Sequence, residues 1–393
     1  MSRALTEQDY VDSCLGLSKE GRELLGIPLD SSSSSSSWPP LLSRPPSALE
    51  FSRLVARSSP VLIEGCVDDR PALKEWSSTN WLMERMGSAK VNVALTPNGR
   101  ADDLLLLHQG QDVFALPLEV DMTFKDLASA LSSRKEDAPV AYLQSQGSNL
   151  TSEPALSPLC DDFAPRSHAS STTASSTRSK DNASLSFLFA TQALDKEPEA
   201  INLWVGNARA FTSTHRDHYE NLFTVVRGVK EFYLWPPAEG WALEETEPLP
   251  IYQWSIDGKK SDSDYIAPNA LKSSDLVLRP VPSAPKTPWI RPSPLETRTS
   301  KRNAPCKRYA QSLPPLRVKV GQGQTLYLPA GWYHAVAQQV DDGQGEGASA
   351  GLCIAINQWY ESDAAFSDRW AWTQFQRSLG KKLDGTFVKE DEV

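Results

Sequence analysis

The sequence predicts a mainly β fold with flanking helices, its strands wound as a double-stranded β-helix of the jelly-roll type. Three observations carry that expectation. Short runs of apolar and β-branched residues, bounded by Gly, Pro or Asn, recur between residues 201 and 360. Helical spacing gathers instead before residue 134 and after residue 366. The residues best suited to bind a metal fall on different strands, as they do when a site sits in the mouth of a barrel.

Taken in order, residues 6–25 carry Tyr10, Val11, Leu15, Leu17, Leu24 and Leu25 at helical spacing, and residues 31–37 are seven consecutive serines, read as a linker. The run A-L-E-F-S-R-L-V-A-R from Ala48 is read as a helix, 60–65 as a short buried strand, 76–86 as a helix and 90–95 as a strand. Residues 104–107 are apolar and ambiguous; 124–134 reads as a helix and 139–144 as a strand that presents Tyr142 to an interior. The stretch 165–182 is rich in Ser and Thr without apolar period, and 258–315 is rich in Pro, Ser and Lys. Strands follow at 201–205, 316–320, 324–328, 333–338 and 352–360, with a flexible loop at 341–351, and 366–379 closes as a helix. The expected organisation is an N-terminal helix and Ser-rich linker over 1–46 and one large domain over 47–380. Disordered insertions are expected near 165–182 and 258–315, and a polar tail over 381–393.

Of the 393 residues 40% are hydrophobic and 23% charged, values of a soluble protein, and no apolar run reaches the length of a membrane span. No hydrophobic leader is visible in M-S-R-A-L-T-E-Q-D-Y, so an intracellular, cytoplasmic and nuclear location is expected. Five scattered cysteines fit neither a disulfide framework nor a zinc site and imply reduced thiols. A net charge of −9 argues against a nucleic-acid surface.

The chemistry concentrates in T-S-T-H-R-D-H-Y-E-N-L-F-T-V-V-R-G-V-K-E-F-Y-L-W-P-P, which reads as two strands joined at Gly228. On a strand His215 and Asp217 share one face and can close on one ion. By itself a His-x-Asp pair also arises at any polar strand end. Lys230 alternates with Phe232 and Leu234, so its ammonium is either buried and in need of an anion or snorkelling to the surface. In G-Q-T-L-Y-L-P-A-G-W-Y-H-A-V-A-Q, His334 stands just inside a strand after a Pro-Gly turn and completes a set of two His and one carboxylate. Such a set holds non-haem Fe(II) with positions left open. His218 faces away from Asp217 on a regular strand, and His108 and His168 lack a partner pattern.

These residues, with Y-L-Q-S-Q-G-S-N-L, N-L-W-V-G and C-I-A-I-N-Q-W-Y, resemble the jumonji-C branch of the 2-oxoglutarate-dependent oxygenases, a cupin-type fold, and most of all its lysyl hydroxylases. The resemblance runs from about residue 47 to 379. It implies that His215, Asp217 and His334 bind Fe(II) and that Lys230 pairs with the distal carboxylate of 2-oxoglutarate. Thr212 and Tyr142 would supply hydroxyl contacts to that carboxylate, and Asn221 and Asn357 amides near the iron and cosubstrate. It also implies consumption of O2 and 2-oxoglutarate with hydroxylation of a lysyl side chain in a protein, the developmentally regulated GTP-binding proteins being the expected partners. Asp102, Asp103 and Glu220 are candidates to receive the lysyl ammonium. A histone lysine demethylase of the same branch and a metal-binding cupin without turnover are the competing readings. The aromatic residues Phe366, Trp370, Trp372 and Phe375 make the last helix a candidate homodimer face.

Overall fold

The computed structural model describes residues 6–379 except 30–37, 108–109, 134, 145–146, 167–184, 259–269, 341–350, 364–370, 372–373 and 377. Two sheets dominate it. The six-stranded sheet runs Leu41–Leu42, Val61–Ile63, Thr325–Leu328, Tyr219–Arg227, Cys353–Glu361 and Ala200–Gly206 in spatial order. The five-stranded sheet runs Leu316–Val320, Val229–Trp235, Tyr333–Gln339, Phe211–Arg216 and Arg100–Ala101. Strand neighbours are mostly distant in sequence, so the two sheets are built by crossovers rather than by local hairpins.

Alternation decides what each face meets. Phe223, Val225, Leu326 and Ala355 of the first sheet pack with Phe232, Leu234, Val318 and Val336 of the second in one apolar cluster, so the sheets lie face to face. The outer face of the first sheet is covered by helices: Phe51 from Ala48–Arg57 stands edge-on to Tyr327 at 4.9 Å and to Phe189 at 5.1 Å. Ser47 and Glu50 close a capping box at the start of that helix, which satisfies its first amides. The result is a mixed cupin-like arrangement of sheets and helices in which, among the described residues, the two sheets do not join into a closed barrel.

The helix Glu7–Leu24 opens on a capping box of Thr6 and Asp9 and lays Tyr10, Val11 and Cys14 against Trp241 and Ala242. Its Arg22 is buried and gives two hydrogen bonds to Glu239, at 2.6 and 2.7 Å, and one to the Pro314 carbonyl at 2.9 Å. A carboxylate taken out of water needs such a bidentate partner.

Several expectations are corrected. The stretch 212–237 holds three strands rather than two, Phe211–Arg216, Tyr219–Arg227 and Val229–Trp235. Gly228 does not close a hairpin: the strands on either side of it belong to different sheets, and a Cβ there would meet the Gln339 carbonyl oxygen at 2.7 Å. The expected helix over 76–86 is two, Ala72–Glu75 and Thr79–Met86, because the Ser78 hydroxyl accepts from the Trp81 amide and starts a new one. The ambiguous run near 104 is the strand Asp103–Leu106. The segment 258–315 lies outside the described residues only over 259–269. Beyond them it carries the strand Leu276–Pro280 and the helix Lys307–Gln311. Its order rests on side-chain hydrogen bonds that no apolar period announces, as where the buried Asn303 amide bonds the Ser293, Glu296 and Thr297 carbonyls. The serine tract 31–37, most of 165–182, His108, His168, the loop 341–350, Phe366, Trp370, Trp372 and the tail from 380 lie outside the described residues.

Candidate metal centre

His215 and His334 face each other across an antiparallel pair of strands, directly opposite in register, with ring centroids 4.2 Å apart. Each ring is oriented from behind. Nδ1–H of His215 donates to the Ser213 carbonyl at 2.7 Å and Nδ1–H of His334 to the Trp332 carbonyl at 3.1 Å, leaving both Nε2 atoms turned to a common point. Burial and the neighbouring His215 push the His334 pKa down to about 4, which holds that imidazole neutral, the form that ligates.

Asp217 reaches the same point by a route the strand reading missed. The strand ends at Arg216, and Asp217 sits in the bend that follows, where its carbonyl accepts from the Gly331 amide at 2.8 Å. The turn before His334 therefore clamps Asp217, two residues after His215. Asp217 Oδ1 lies 3.8 Å from His215 Nε2, and Oδ2 lies 3.6 Å from His334 Nε2. Ligand atoms from all three fall within 4.8 Å of one another. Two imidazoles and one carboxylate in this disposition fit a divalent first-row metal with positions left open, the facial set of non-haem iron.

The pocket beside this triad is lined by both sheets. Lys230 forms part of its lining and is 2% exposed. Its ammonium donates to the Tyr142 hydroxyl at 3.1 Å and to the Gln338 amide oxygen, and among the described residues no carboxylate pairs with it. The snorkelling alternative is thereby removed. Gly206 makes the arrangement possible, because a Cβ there would lie 2.5 Å from Gln338 Nε2 and 2.8 Å from the Tyr142 ring. Thr212 also faces the pocket. Asn221 and Asn357 stand together on adjacent strands of the six-stranded sheet, Asn357 Nδ2 to Asn221 Oδ1 being 3.5 Å, and the Trp204 indole donates to Asn357 Oδ1 at 2.8 Å. The three triad residues and Lys230, Thr212, Tyr142, Asn221 and Asn357 all line one cavity.

Two of the three acidic candidates are spoken for. Glu220, 1% exposed, accepts from the Tyr327 hydroxyl at 2.6 Å, the Ala330 amide at 3.2 Å and the Ser362 hydroxyl at 2.7 Å. Asp103, fully buried, takes both arms of Arg302 at 2.7 and 2.6 Å. Only Asp102 borders the pocket. His218 is exposed and does not line the pocket. Trp289, which the sequence did not single out, arrives from the long excursion and lies nearly parallel to the His215 ring, 6.4 Å away at 5°. Its indole donates to the Ser213 hydroxyl at 3.0 Å. An isolated Trp in a Pro-rich segment was the one signal of it.

Fold and site together define a cupin-like metalloprotein, and the comparisons agree: the chain belongs to the cupin-like domain family, which matches residues 46–366. Family, relatives and triad together place it with the 2-oxoglutarate oxygenases of the jumonji-C type. It is 33% identical over 345 residues to the human bifunctional peptidase and (3S)-lysyl hydroxylase JMJD7, covering 87% of this chain and 89% of that one. It is 30% identical over 337 residues to the lysine-specific demethylase JMJ32 of Arabidopsis thaliana, covering 85% and 84%. With the JmjC domain-containing protein E of Dictyostelium discoideum it shares 29% over 346 residues, covering 86% and 87%.

Proposed function

We propose that the protein is an Fe(II)- and 2-oxoglutarate-dependent lysyl hydroxylase acting on protein substrates, with developmentally regulated GTP-binding proteins as the target class. The observation that carries the cosubstrate is Lys230. A buried ammonium with only neutral partners is unfavourable until an anion arrives, and a dicarboxylate spanning from the triad to Lys230 supplies one. His215, Asp217 and His334 hold the iron. Lys230 fixes the distal carboxylate, with the Tyr142 and Thr212 hydroxyls beside it, and Asn221 and Asn357 supply amide groups to the cosubstrate and the open positions. Iron bound there supplies the coupling of 2-oxoglutarate decarboxylation to O2 reduction and C–H hydroxylation. The protein's own part is to exclude water and fix orientation. The two facing sheets are read as the halves of a double-stranded β-helix.

Hydroxylation is favoured over demethylation by the 33% relationship to a lysyl hydroxylase, while the 30% relationship to a demethylase keeps the second outcome in the test. The decisive assay incubates the protein with Fe(II), 2-oxoglutarate and paired unmethylated and trimethylated lysyl peptides, from a developmentally regulated GTP-binding protein and from a histone tail. A gain of one oxygen on the unmethylated peptide, with succinate formed, is expected. Methyl loss with formaldehyde and no oxygen gain would transfer the protein to the demethylases. No turnover of 2-oxoglutarate at all would leave a metal-binding cupin.

A further inference from the structure

Adjacent residues in the chain, Asp102 and Asp103, meet opposite fates. Asp103 draws in Arg302, and Arg100 stands 3.4 Å from it as well. Asp102 has no Lys or Arg partner among the described residues: its carboxylate accepts a hydrogen bond from the Gln144 amide at 3.2 Å, and His215 is the basic group nearby. Yet it is largely buried, and burial pushes its pKa up to about 6. The backbone there is also unusual. Asp102 takes φ of 55° between the strands Arg100–Ala101 and Asp103–Leu106, a left-handed conformation that non-glycine residues adopt rarely and that often marks a functional position.

Register places this carboxylate beside the metal centre. Ala101 pairs with Thr212 in parallel, so Asp102 falls next to Ser213, two residues before His215. The Ser213 hydroxyl donates to the Asp102 carbonyl at 2.8 Å and accepts from the Trp289 indole, tying both to one point on the wall. Of the acidic side chains lining the pocket, Asp217 belongs to the triad and Asp102 is the other. The pocket thus offers an unpaired cation, Lys230, and an unpaired anion, Asp102.

We propose that Asp102 is the acceptor for the substrate's ε-ammonium, with the Trp289 indole as the apolar wall along which the lysyl stem lies. This rests on the lysyl hydroxylase reading and extends it to recognition. An unmethylated ammonium offers three donors to the carboxylate, whereas a trimethylammonium offers none, so Asp102 selects the unmodified lysine. The carboxylate makes a charge-assisted hydrogen bond only when substrate enters, and its desolvation is offset at that moment.

The test is a cycle of protein and peptide changes read by binding in the Mn(II)- and 2-oxoglutarate-loaded protein. The peptides carry lysine, norleucine or trimethyllysine at the target position. Wild-type protein is expected to prefer lysyl over norleucyl and trimethyllysyl peptide by about tenfold or more, and Asp102→Asn to lose that preference to within about twofold. Affinity for 2-oxoglutarate should stay within about twofold, which a general disturbance of the site would not allow. Asp102→Gly, at ease at positive φ, serves as the second variant should the first not fold. An Asp102→Asn protein that still discriminates lysyl from norleucyl peptide, or a wild type that binds trimethyllysyl peptide best, overturns the assignment. A wild type that oxidises no lysyl peptide overturns the function itself, a result distinct from either.

Discussion

The two ends of the pocket are built differently. The end that holds the two histidines and Lys230 is carried by strands: His215 and His334 are locked opposite each other by an antiparallel register, and Lys230 is fixed on the strand beside that of His334 with Tyr142 and Gln338 against it. The other wall is carried by connections, Asp102 from a strained link between short strands and Trp289 from the 26-residue stretch between the strand Leu276–Pro280 and the helix Lys307–Gln311. A rigid end suits chemistry that never changes, while a loop-built wall can be altered without disturbing it.

The largest effect should come at the rigid end. His215→Ala or Asp217→Ala removes a metal donor and is expected to lower 2-oxoglutarate turnover at least about 1000-fold, measured as succinate formed. Turnover near wild type in either variant would break the comparison outright. Next, Lys230→Ala strips the partner from one carboxylate and should weaken 2-oxoglutarate about 100-fold, or about 3 kcal/mol, with metal affinity little changed. Calorimetric titration of each ligand separately reads this, and an unchanged cosubstrate affinity would remove Lys230 from the site.

Effects at the loop-built wall should be smaller and of another kind. Because the Asp102 carboxyl is raised in the folded chain to about 6 from an ordinary 3.8, its contribution favours folding below about pH 4 and is lost as pH rises through 6. Metal-free Asp102→Asn is therefore expected to gain on wild type by about 2 kcal/mol between pH 4 and pH 7.5, followed by urea melts at both values. A gap that narrows with rising pH reverses the sign and would show the charge to be paired. Smallest of all, Trp289→Ala should raise the KM for a lysyl peptide roughly fivefold, about 1 kcal/mol, without altering 2-oxoglutarate affinity. Loss of cosubstrate binding in that variant would mean the two ends are not independent.

The same division explains what could be read from the sequence. His215, Asp217 and Lys230 were visible because local spacing and alternation carry them, and His334 because a Pro-Gly turn marks the start of its strand. Their convergence was visible only in part. Asp217 meets the histidines through a bend tied to Gly331, not through strand alternation, and no periodicity encodes that bond. Gly206 gave no signal, since its role is to leave room between Tyr142 and Gln338, residues far away in the chain. Trp289 was hidden in a segment that reads as disordered because it is held by side-chain amides rather than by an apolar stripe. The strands that form two sheets rather than hairpins were likewise unreadable, for register between distant segments is set by packing.

The Arg22 and Glu239 pair shows that shared ancestry and mechanical integrity have different limits in this chain. Sequence similarity to the family begins at residue 46, but Glu239, well inside it, is neutralised by a helix that ends at residue 24. A fragment trimmed to that boundary would strip both Arg22 hydrogen bonds from that carboxylate. It would also uncover Trp241, which the same helix shelters. The smallest piece that can stand by itself is therefore expected to be longer than the stretch 46–366 that matches the family.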